Sequence, residues 1–359
     1  MISGVVGVNQ PTVVLHVMNH ADERSAAQLR VIEGLADALD RRTHRLGALF
    51  LGEDGPLIAA LRSRGVPANA TPFTGLLDLR GALRLAGQAR ASRPAILHLH
   101  VGGRSRIGIL RTATSAKVVM HLHSAVDDSG RELDLDRASR GAHAIVATSA
   151  AVARRIERNA RVIHPGVALP ERPVAEPAAA ATVIGTVARL QAVKGLDVLL
   201  RALAALRESH PAVRLEVAGS GPLEAELRGL AGRLGVADAV SFLGWCDDVR
   251  ALHQRWQVYV QPSRYEGLGI AALEAMGSSL PVVAFDSGGL SELVMHGRTG
   301  YLAPAGNSQT LADRLGELLD DSSKRLTFGR SGRRRAEECF SVEKMASSVA
   351  DVYRRVLAR

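Results

Sequence analysis

The residues best suited to chemistry lie in the second half of the chain, in loops that follow predicted strands. Arg189 and Lys194 flank a predicted strand-to-helix turn. Their fixed positive charges suit a diphosphate, because arginine can donate to two oxygens at once and lysine acts as a point charge. The competing interpretation of this loop is a pair of solvated surface cations.

A second loop, from 261 to 269, carries the most specific pattern. Glu266 precedes two glycines, and a predicted helix then begins at Ile270 and contains Glu274, eight positions after Glu266. Free backbone N–H groups at the helix start favour phosphate, while one carboxylate could accept hydrogen bonds from a sugar ring and the other from ribose hydroxyls. The alternative is that Glu266 caps the helix and Glu274 is an exposed helical acid.

Three glycine-containing turns complete the candidate site. Gly219 follows one predicted strand and precedes a helix, so a ligand could approach the backbone there. The turn at Trp245 and Cys246 could meet a nucleobase through its backbone, or be an ordinary loop. The pair Gly288-Gly289 also ends a predicted strand, where a plain turn is the alternative.

These loops require a scaffold of alternating strands and helices, and short β-branched runs do alternate with amphipathic stretches along the chain. Such repetition predicts right-handed crossovers and mostly parallel sheets covered on both faces. The predicted strands are 12–17, 46–51, 95–99, 117–122 and 143–147 in the first half, and 183–187, 214–218, 239–242, 257–260 and 281–284 in the second. The predicted helices are 25–39, 79–90, 150–159, 196–208, 223–233 and 270–276, with helices only from 323 to 359 and a break at Phe340-Ser341.

A composition break divides the chain in two. Residues 171–181 are rich in proline and alanine, as in an inter-domain linker. We therefore predict a Rossmann-like domain over 1–170, the linker over 171–181, and a second Rossmann-like domain over 182–340. The default ligand site of such a pair is the cleft between them, outside the carboxyl ends of the strands.

Composition excludes several classes of protein. The net charge of +9 favours anionic partners, but aromatic residues are only 3% and the arginines are scattered, which argues against a nucleic-acid-binding protein. Two cysteines cannot form a disulfide scaffold, so a reducing cytoplasm fits. No apolar run approaches the roughly 18 residues of a membrane span, and the first residues lack the basic region of a secretory signal. We expect a cytoplasmic protein, at most peripheral at the inner membrane face.

Five separated segments of the second half, in this order, resemble glycosyltransferase family 4. They are the loop from Arg189 to Gly195, the Gly-Ser-Gly-Pro turn at 219–222, PSRYEGLGIAALEAM, PVVAFDSGGLSELV and HGRTGYL. Weaker similarity extends into the first half at 97–100, 119–124, 145–149 and 162–167. The resemblance implies retaining enzymes of the GT-B fold, in which two Rossmann-like doubly wound domains face a central cleft. It also implies that 341–359 is a helix crossing back to the N-terminal domain.

The resemblance implies an N-terminal domain for the acceptor and a C-terminal domain for a nucleoside-diphosphate sugar. Arg189 and Lys194 would neutralise the leaving diphosphate, helped by the backbone of Leu268, Gly269 and Ile270. The nucleobase region would contain Gly219, Trp245 and Cys246.

For the sugar, the resemblance implies contacts from Glu266 and Gly267, and ribose would be held by Glu274. His123 matches the family's first-domain histidine near the reacting sugar. His121 is the competing assignment, because residues two apart on a strand point to the same face. The residues expected to be catalytic are then His123, Glu266, Arg189 and Lys194.

The resemblance is incomplete in the first domain. The first loop, 19–27, lacks the Gly-Gly pair often present in the family, and Pro165-Gly166 replaces the usual Asn-Gly.

The predicted function is transfer of a sugar with retention from a nucleoside-diphosphate sugar to a hydroxyl acceptor of small-molecule type. Positive charge and helix-start amides would stabilise the departing diphosphate, so no cofactor and no metal is expected. The Asp134-Leu135-Asp136 string is interpreted as a solvated helix face.

Alternative functions differ in the partner. The basic amphipathic segment 76–93 would suit a peripheral membrane enzyme with a lipid or cell-envelope acceptor, or be an ordinary helix packed on the sheet. A non-catalytic nucleotide- or nucleic-acid-binding protein is a remote alternative. A nicotinamide-dependent oxidoreductase is disfavoured because no G-x-G-x-x-G follows the first strand.

Overall fold

The two predicted doubly wound α/β domains are present in the computed structural model, which describes residues 10–22, 25–75, 78–100, 104–171 and 182–359. Each domain has one sheet whose paired strands are all parallel. The strands are mostly buried, as expected for a sheet that helices cover on both faces.

The first sheet has seven strands in the order β3-β2-β1-β4-β5-β6-β7. The strands are β1 (Thr12–Met18), β2 (His44–Phe50), β3 (Ala68–Ala70), β4 (Ile96–Leu99), β5 (Lys117–Leu122), β6 (Ala144–Ala147) and β7 (Arg161–Val162). The helices are α1 (Ala26–Ala38), α2 (Pro56–Ser63), α3 (Leu79–Ala91), α4 (Arg104–Ala113), α5 (Leu135–Ala138) and α6 (Ala150–Ala153).

The second sheet has six strands in the order β10-β9-β8-β11-β12-β13. The strands are β8 (Val183–Val187), β9 (Arg214–Ala218), β10 (Val240–Gly244), β11 (Val258–Gln261), β12 (Val282–Phe285) and β13 (Gly300–Ala303). The helices are α7 (Leu196–Ser209), α8 (Glu224–Arg233), α9 (Val249–His253), α10 (Ile270–Gly277), α11 (Leu290–Leu293), α12 (Ser308–Asp320) and α13 (Ser322–Cys339).

Strand order reverses once in each sheet, between β1 and β4 and between β8 and β11. Loops on the two sides of such a reversal diverge and leave a crevice at the carboxyl ends of the strands, where ligands bind in open α/β sheets. The loop after β8 contains Arg189, and the loop after β11 contains Glu266. The topology therefore brings the two most specific sequence patterns to one crevice.

The last helix, α14 (Val342–Leu357), belongs to the core of the first domain. Its buried residues Met345, Val349 and Tyr353 share that core with Ile32 and Leu35 of α1. The helix before it, α13, packs on α10 of the second domain. The chain therefore crosses between domains at Phe340 and Ser341.

This crossing lies against the end of the first domain. Val167 forms a β-bridge with Ser341, and a Cβ on Gly166 would come within 2.5 Å of the Ser341 carbonyl oxygen. The glycine of the Pro165-Gly166 pair is thus required by the close approach of the returning chain.

The prediction of a helix over 150–159 is wrong, since α6 ends at Ala153. Beyond it Ile156 is buried in the core, and the Arg158 guanidinium donates to the carbonyl oxygens of Ser139 and Ala142 at 2.6 and 3.2 Å. Elements that the sequence analysis did not predict are α2, β3, α4, β7, α9, α11, α12 and β13.

The predicted linker and the first loop lie partly outside the described residues. Of the predicted linker, only Glu171 lies inside the described residues, and the first loop is described except for 23 and 24. In the Asp134-Leu135-Asp136 string, the Asp134 carboxylate caps α5 by accepting from the Arg137 N–H at 2.8 Å. Within the described ranges, no helix combines the length and apolarity that crossing a membrane requires.

Candidate active site

A cleft of about 1790 Å³ lies where the two sheet reversals face each other. Its walls include His121 and His123 from the first domain and Arg189, Lys194 and Glu266 from the second. A cavity for one drug-sized ligand is smaller, roughly 300–1,000 Å³. The cleft therefore has room for two substrates. It also contains the other predicted site residues Gly219, Trp245, Cys246, Gly267, Gly269, Ile270 and Glu274.

Arg189 reaches across the cleft to an acid of the first domain. Its guanidinium pairs with both carboxylate oxygens of Asp128, with Nη1 donating to Oδ2 at 3.1 Å. The Gln191 amide donates to the same Oδ2 at 3.1 Å. In this structure the Arg189 side chain, which was predicted to bind the diphosphate, is thus already paired with a carboxylate. A diphosphate that binds these two nitrogens of Arg189 competes with Asp128 for them.

Lys194 is paired with Glu266. The ammonium Nζ lies 2.6 Å from Glu266 Oε1, and the two side chains are only 19% and 13% exposed. The Gln261 amide and the Ser263 hydroxyl donate to the same oxygen at 3.1 and 2.9 Å. The Tyr259 hydroxyl in turn donates to Gln261 Oε1 at 2.6 Å. This network fixes Glu266 in one orientation, because such charge-assisted bonds are strong where water is partly excluded.

The loop between Glu266 and α10 brings backbone amides to the cleft. Gly269 has a φ of +99°, a conformation that favours glycine, and in the described chain no side chain caps the first turn of α10. The first N–H groups of α10 thus remain available to an anion. Leu268 is buried below the loop and is 3% exposed, so only its backbone can serve a ligand.

The glycine pair of the next loop supports this segment from behind. The Gly289 N–H donates to the Glu266 carbonyl oxygen at 2.9 Å. A Cβ on Gly288 or Gly289 would come within 2.0 Å of the Glu266 oxygen or 2.2 Å of the Gly267 oxygen. The pair therefore serves close backbone packing.

Glu274 faces Arg30 of α1 across the cleft, with 3.3 Å between Arg30 Nε and a carboxylate oxygen. Burial raises the pKa of the Glu274 carboxyl above its usual range, while Arg30 and Arg250 oppose that rise. The side chain is 24% exposed and lines the cleft. The interpretation of Glu274 as an exposed helical acid is therefore wrong, and the ribose role stays a prediction.

His123 lies just after β5, and its backbone contacts the second domain. A Cβ on Gly267 would fall 1.8 Å from the His123 carbonyl oxygen. The His123 imidazole Nε2 lies 2.7 Å from His100 Nδ1, and burial lowers the pKa of His123 to about 3. His121 also lines the cleft, with Nδ1 at 3.1 Å from His98 Nε2. Both histidines thus reach the same wall, and their roles stay predictions.

Two turns frame the predicted nucleobase region. The Gly219 N–H donates to the Gly244 carbonyl oxygen at 2.7 Å, which joins the turns after β9 and β10. The Trp245 indole is 49% exposed, and its N–H donates to Asp247 at 2.8 Å. The Cys246 thiol points to the Gly244 oxygen at 3.7 Å. An aromatic face and backbone groups therefore border this end of the cleft.

Glu292, another acidic residue of the second domain, binds backbone groups of the first domain. Glu292 of α11 accepts from the Ala150 and Ala151 N–H groups at 2.9 and 2.7 Å and lies 3.0 Å from His164 Nε2. Burial opposes ionisation of Glu292, but these bonds outweigh it and hold the pKa of the carboxyl below its usual range. Glu292 thus fastens the two domains together beside the cleft.

Several of these functional contacts escaped the sequence analysis. Asp128 and Arg30 carried no local signal, since each meets its partner only across the cleft. The alternating histidines of two neighbouring strands were visible as His-x-His patterns at 98–100 and 121–123. In the described part of the chain, groups of three potential metal ligands occur only among histidines, as His16, His98 and His100, and as His100, His121 and His123.

Comparison with known proteins agrees with this architecture. The model of the glycosyl transferases group 1 matches residues 171–335, and that of Glycosyltransferase Family 4 matches 28–170. The crystal structure of Anabaena HepE in complex with UDP-glucose has a TM-score of 0.81 at 22% identity, covering 96% of this chain and 99% of that one.

Two curated relatives are similar over part of their length. One is the lipopolysaccharide core biosynthesis mannosyltransferase LpcC of Rhizobium leguminosarum bv. viciae, 32% identical over 60% of this chain and 65% of the relative. Another is the GDP-mannose-dependent alpha-(1-6)-phosphatidylinositol monomannoside mannosyltransferase of Mycobacterium tuberculosis, 35% identical over 46% of each chain. The matched region thus spans less than two thirds of either relative. Together the two family models match the chain from 28 to 335, and it belongs to glycosyltransferase family 4, with the GT-B fold.

Proposed function

We propose that the protein is a retaining glycosyltransferase that moves a hexose from a nucleoside-diphosphate sugar to a hydroxyl acceptor without a divalent metal. One observation carries this proposal. The Lys194–Glu266 pair lies beside the uncapped start of α10, with Arg189 at the same strand reversal. These groups supply cations and amides for a diphosphate and a fixed carboxylate for sugar hydroxyls.

The donor class follows from the same geometry. Arg189, Lys194 and the N–H groups of α10 suit two linked phosphates, and the turn at Trp245 suits a base. The names of the relatives support this choice, since one uses GDP-mannose and the HepE structure contains UDP-glucose. Arg189 is bound to Asp128 here, so donor binding exchanges one anion for another at the guanidinium.

The proposed reaction is a front-face displacement. The bond between the anomeric carbon and the leaving phosphate oxygen breaks, and the acceptor hydroxyl attacks from the same face. The departing phosphate oxygen takes the hydroxyl proton, which balances the step. Negative charge grows on the diphosphate in the transition state, and groups that bind it more tightly there accelerate transfer.

The cationic clamp is tested by the variants Arg189→Ala and Lys194→Ala, singly and together. The double variant is expected to lower turnover by at least tenfold, about 1.4 kcal/mol of transition-state stabilisation. Arg207→Ala is a matched control, since Arg207 forms a similar pair with Asp238 away from the cleft. A smaller loss in the double variant would show that the clamp does not stabilise the leaving group.

Two further measurements test the remaining parts of the proposal. Turnover in excess EDTA is expected to equal that in Mg²⁺, because protein cations replace the metal at the diphosphate. The anomeric configuration of the product, read from its proton coupling, is expected to match that of the donor. Recovery of activity only on adding Mg²⁺ would exclude metal independence, and an inverted product would exclude retention.

A second candidate concerns the acceptor. Helix α3 buries Leu85 and Ala89, yet Leu79 and Leu83 on another face are 72% and 74% exposed, and Arg84 is exposed beside them. Exposed leucines next to arginines suit an anionic lipid surface. The name of one relative refers to lipopolysaccharide core biosynthesis and that of the other to a phosphatidylinositol monomannoside. We propose on this basis a cytoplasmic enzyme that meets a lipid-linked acceptor at the membrane surface.

The membrane candidate is tested by co-sedimentation with anionic and with zwitterionic vesicles. The protein is expected to sediment with anionic vesicles. The double variant Leu79→Ser, Leu83→Ser is expected to reduce the bound fraction at least tenfold. Leu357→Ser is a control, because Leu357 is 41% exposed at the far end of α14. If the leucine variants sediment with anionic vesicles as well as the unchanged protein does, or if no protein sediments with them, the small-molecule acceptor is favoured.

A further inference from the structure

Five histidines form one stack at the carboxyl ends of β1, β4 and β5. Residues two apart on a strand share a face, and His16 of β1 is in register with His98 of β4. Neighbouring imidazole centroids lie close together, at 4.7 Å for His98 and His100 and 4.3 Å for His121 and His123. The stack runs from the domain interior to the cleft wall, where His123 is the member that the family resemblance places near the reacting sugar.

Hydrogen bonds join the stack into two series. In the first, His16 Nδ1 lies 2.9 Å from His100 Nε2, and His100 Nδ1 lies 2.7 Å from His123 Nε2. In the second, the Tyr353 hydroxyl lies 2.5 Å from His98 Nδ1, and His98 Nε2 lies 3.1 Å from His121 Nδ1.

The second series ends on a nitrogen with nothing to bind. His121 is 3% exposed, and its Nε2 is buried and has no hydrogen-bond partner among the described residues. The series has two possible directions: if the Tyr353 hydroxyl donates to His98, His121 Nε2 carries a hydrogen, and if it accepts from His98, His121 Nε2 carries a lone pair that can bind a cation. A buried polar atom without a partner is unfavourable, and in the second arrangement a cation would satisfy it.

Three of these imidazoles lie together at the cleft wall. One ring nitrogen from each of His100, His121 and His123 lies within 4.8 Å of the other two, and all three residues line the cleft. The other possible trio contains His16 and His98, which are fully buried and offer an ion no direct entry.

We propose that His100, His121 and His123 bind a borderline-soft divalent cation of the Zn²⁺ class at the wall of the cleft. Neutral imidazoles are ligands that Zn²⁺, Co²⁺, Ni²⁺ and Cu²⁺ prefer, whereas Mg²⁺ and Ca²⁺ prefer oxygen. Tetrahedral zinc–imidazole bonds of about 2.0–2.1 Å place ligand nitrogens about 3.3 Å apart. The bond between His100 and His123 would therefore open by about half an ångström, nitrogens up to 4.8 Å apart would close to this spacing, and the stacked rings would turn toward the ion. The fourth position would face the cleft.

This site is separate from metal assistance at the diphosphate. The trio contains no carboxylate and belongs to the first domain, whereas Arg189 and Lys194 belong to the second. Zn²⁺ binding can be measured whether or not the chain transfers a sugar, so its failure would leave the proposed function unaffected.

The test is calorimetric titration of the full chain with Zn²⁺ after removal of metals with EDTA. Both cysteines are replaced by serine first, since Cys246 lines the cleft and thiolates also bind zinc. We expect one equivalent of Zn²⁺ per chain, and a Co²⁺ complex with the intense visible absorption of a tetrahedral site. His121→Asn is expected to weaken binding at least tenfold. The control His210→Asn, which removes an imidazole paired with Asp320 on the surface, is expected to retain it.

Several results would overturn the proposal. They are the absence of stoichiometric binding, binding that survives His121→Asn and His123→Asn, loss of binding in His210→Asn, or an octahedral Co²⁺ spectrum. Circular dichroism and the unfolding midpoint show whether each variant is folded. Should His121→Asn fail to fold, the titration and the Co²⁺ spectrum of the chain with its histidines intact still decide the matter.

Discussion

Replacing Asp128 by asparagine should strengthen donor binding. Asp128 holds the Arg189 guanidinium through both carboxylate oxygens and accepts a third bond from Gln191. A nucleoside diphosphate that binds the same two nitrogens competes with these contacts. The variant removes the competing negative charge while keeping the shape of the side chain.

The size of the effect follows from the exposure of the pair. The Arg189 side chain is 25% exposed and that of Asp128 is 56% exposed, so water screens much of their attraction. Ion pairs of this kind contribute about 0.2–1 kcal/mol. The bidentate geometry and the bond from Gln191 place this pair near the upper end. Releasing it is therefore expected to lower the Kd for a nucleoside diphosphate by about fivefold, which corresponds to about 1 kcal/mol.

The assay is calorimetric titration of both proteins with UDP and GDP at low and high salt. The gain should shrink as salt rises, because the competing attraction is electrostatic. Asp238→Asn is the matched control, since Asp238 also pairs with an arginine through two bonds but lies outside the cleft. Unchanged or weaker nucleotide binding in Asp128→Asn would refute the reasoning, because Asp128 would then not compete with the ligand.

Two further predictions concern the contacts between domains. Gly267→Ala places a Cβ 1.8 Å from the His123 carbonyl oxygen, where backbone cannot yield, so turnover should fall by more than tenfold. Gly232→Ala in α8, where a Cβ meets nothing within 4 Å, should leave turnover unchanged, and an active Gly267→Ala enzyme would argue against this apposition of domains. Glu292→Gln should lower the free energy of unfolding at neutral pH by about 1 kcal/mol, because the single oxygen of glutamine can replace only one of the two carboxylate oxygens and carries no charge. Since the pKa of Glu292 is held below its usual value, this stabilisation is present above about pH 4.3 and is lost as the pH falls through the lowered pKa. Denaturant titrations across this range should show the two proteins converge in acid, and a gap that widens there would contradict the sign.

Local patterns predicted much of the fold. The alternation of β-branched runs and amphipathic stretches gave β8, β9 and α7 within one residue of their observed ends, because buried parallel strands and packed helices leave a strong periodic signal. Short edge strands such as β3 and β7 leave almost none. The 150–159 segment had helical composition, but the burial of Ile156 prevailed over that local preference.

The same limit applies to the candidate site. Glu266 and Lys194 could be recognised from loops at predicted strand ends, since parallel strands bring those loops to one edge. The residues that bind Arg189 and Glu274 across the cleft could not be recognised from the sequence. Asp128 lies 61 positions from Arg189, and Arg30 meets Glu274 only because two domains face each other. No periodicity within either domain encodes that orientation.

The returning helix α14 has a consequence for biosynthesis. Met345, Val349 and Tyr353 complete a core whose other members, such as Ile32 and Leu35, leave the ribosome about three hundred residues earlier. The first domain to be translated is thus the last to be completed, and the second can close its own sheet while the nascent amino-terminal half still exposes an apolar groove. Chaperone occupancy during translation should therefore persist until the final helix emerges.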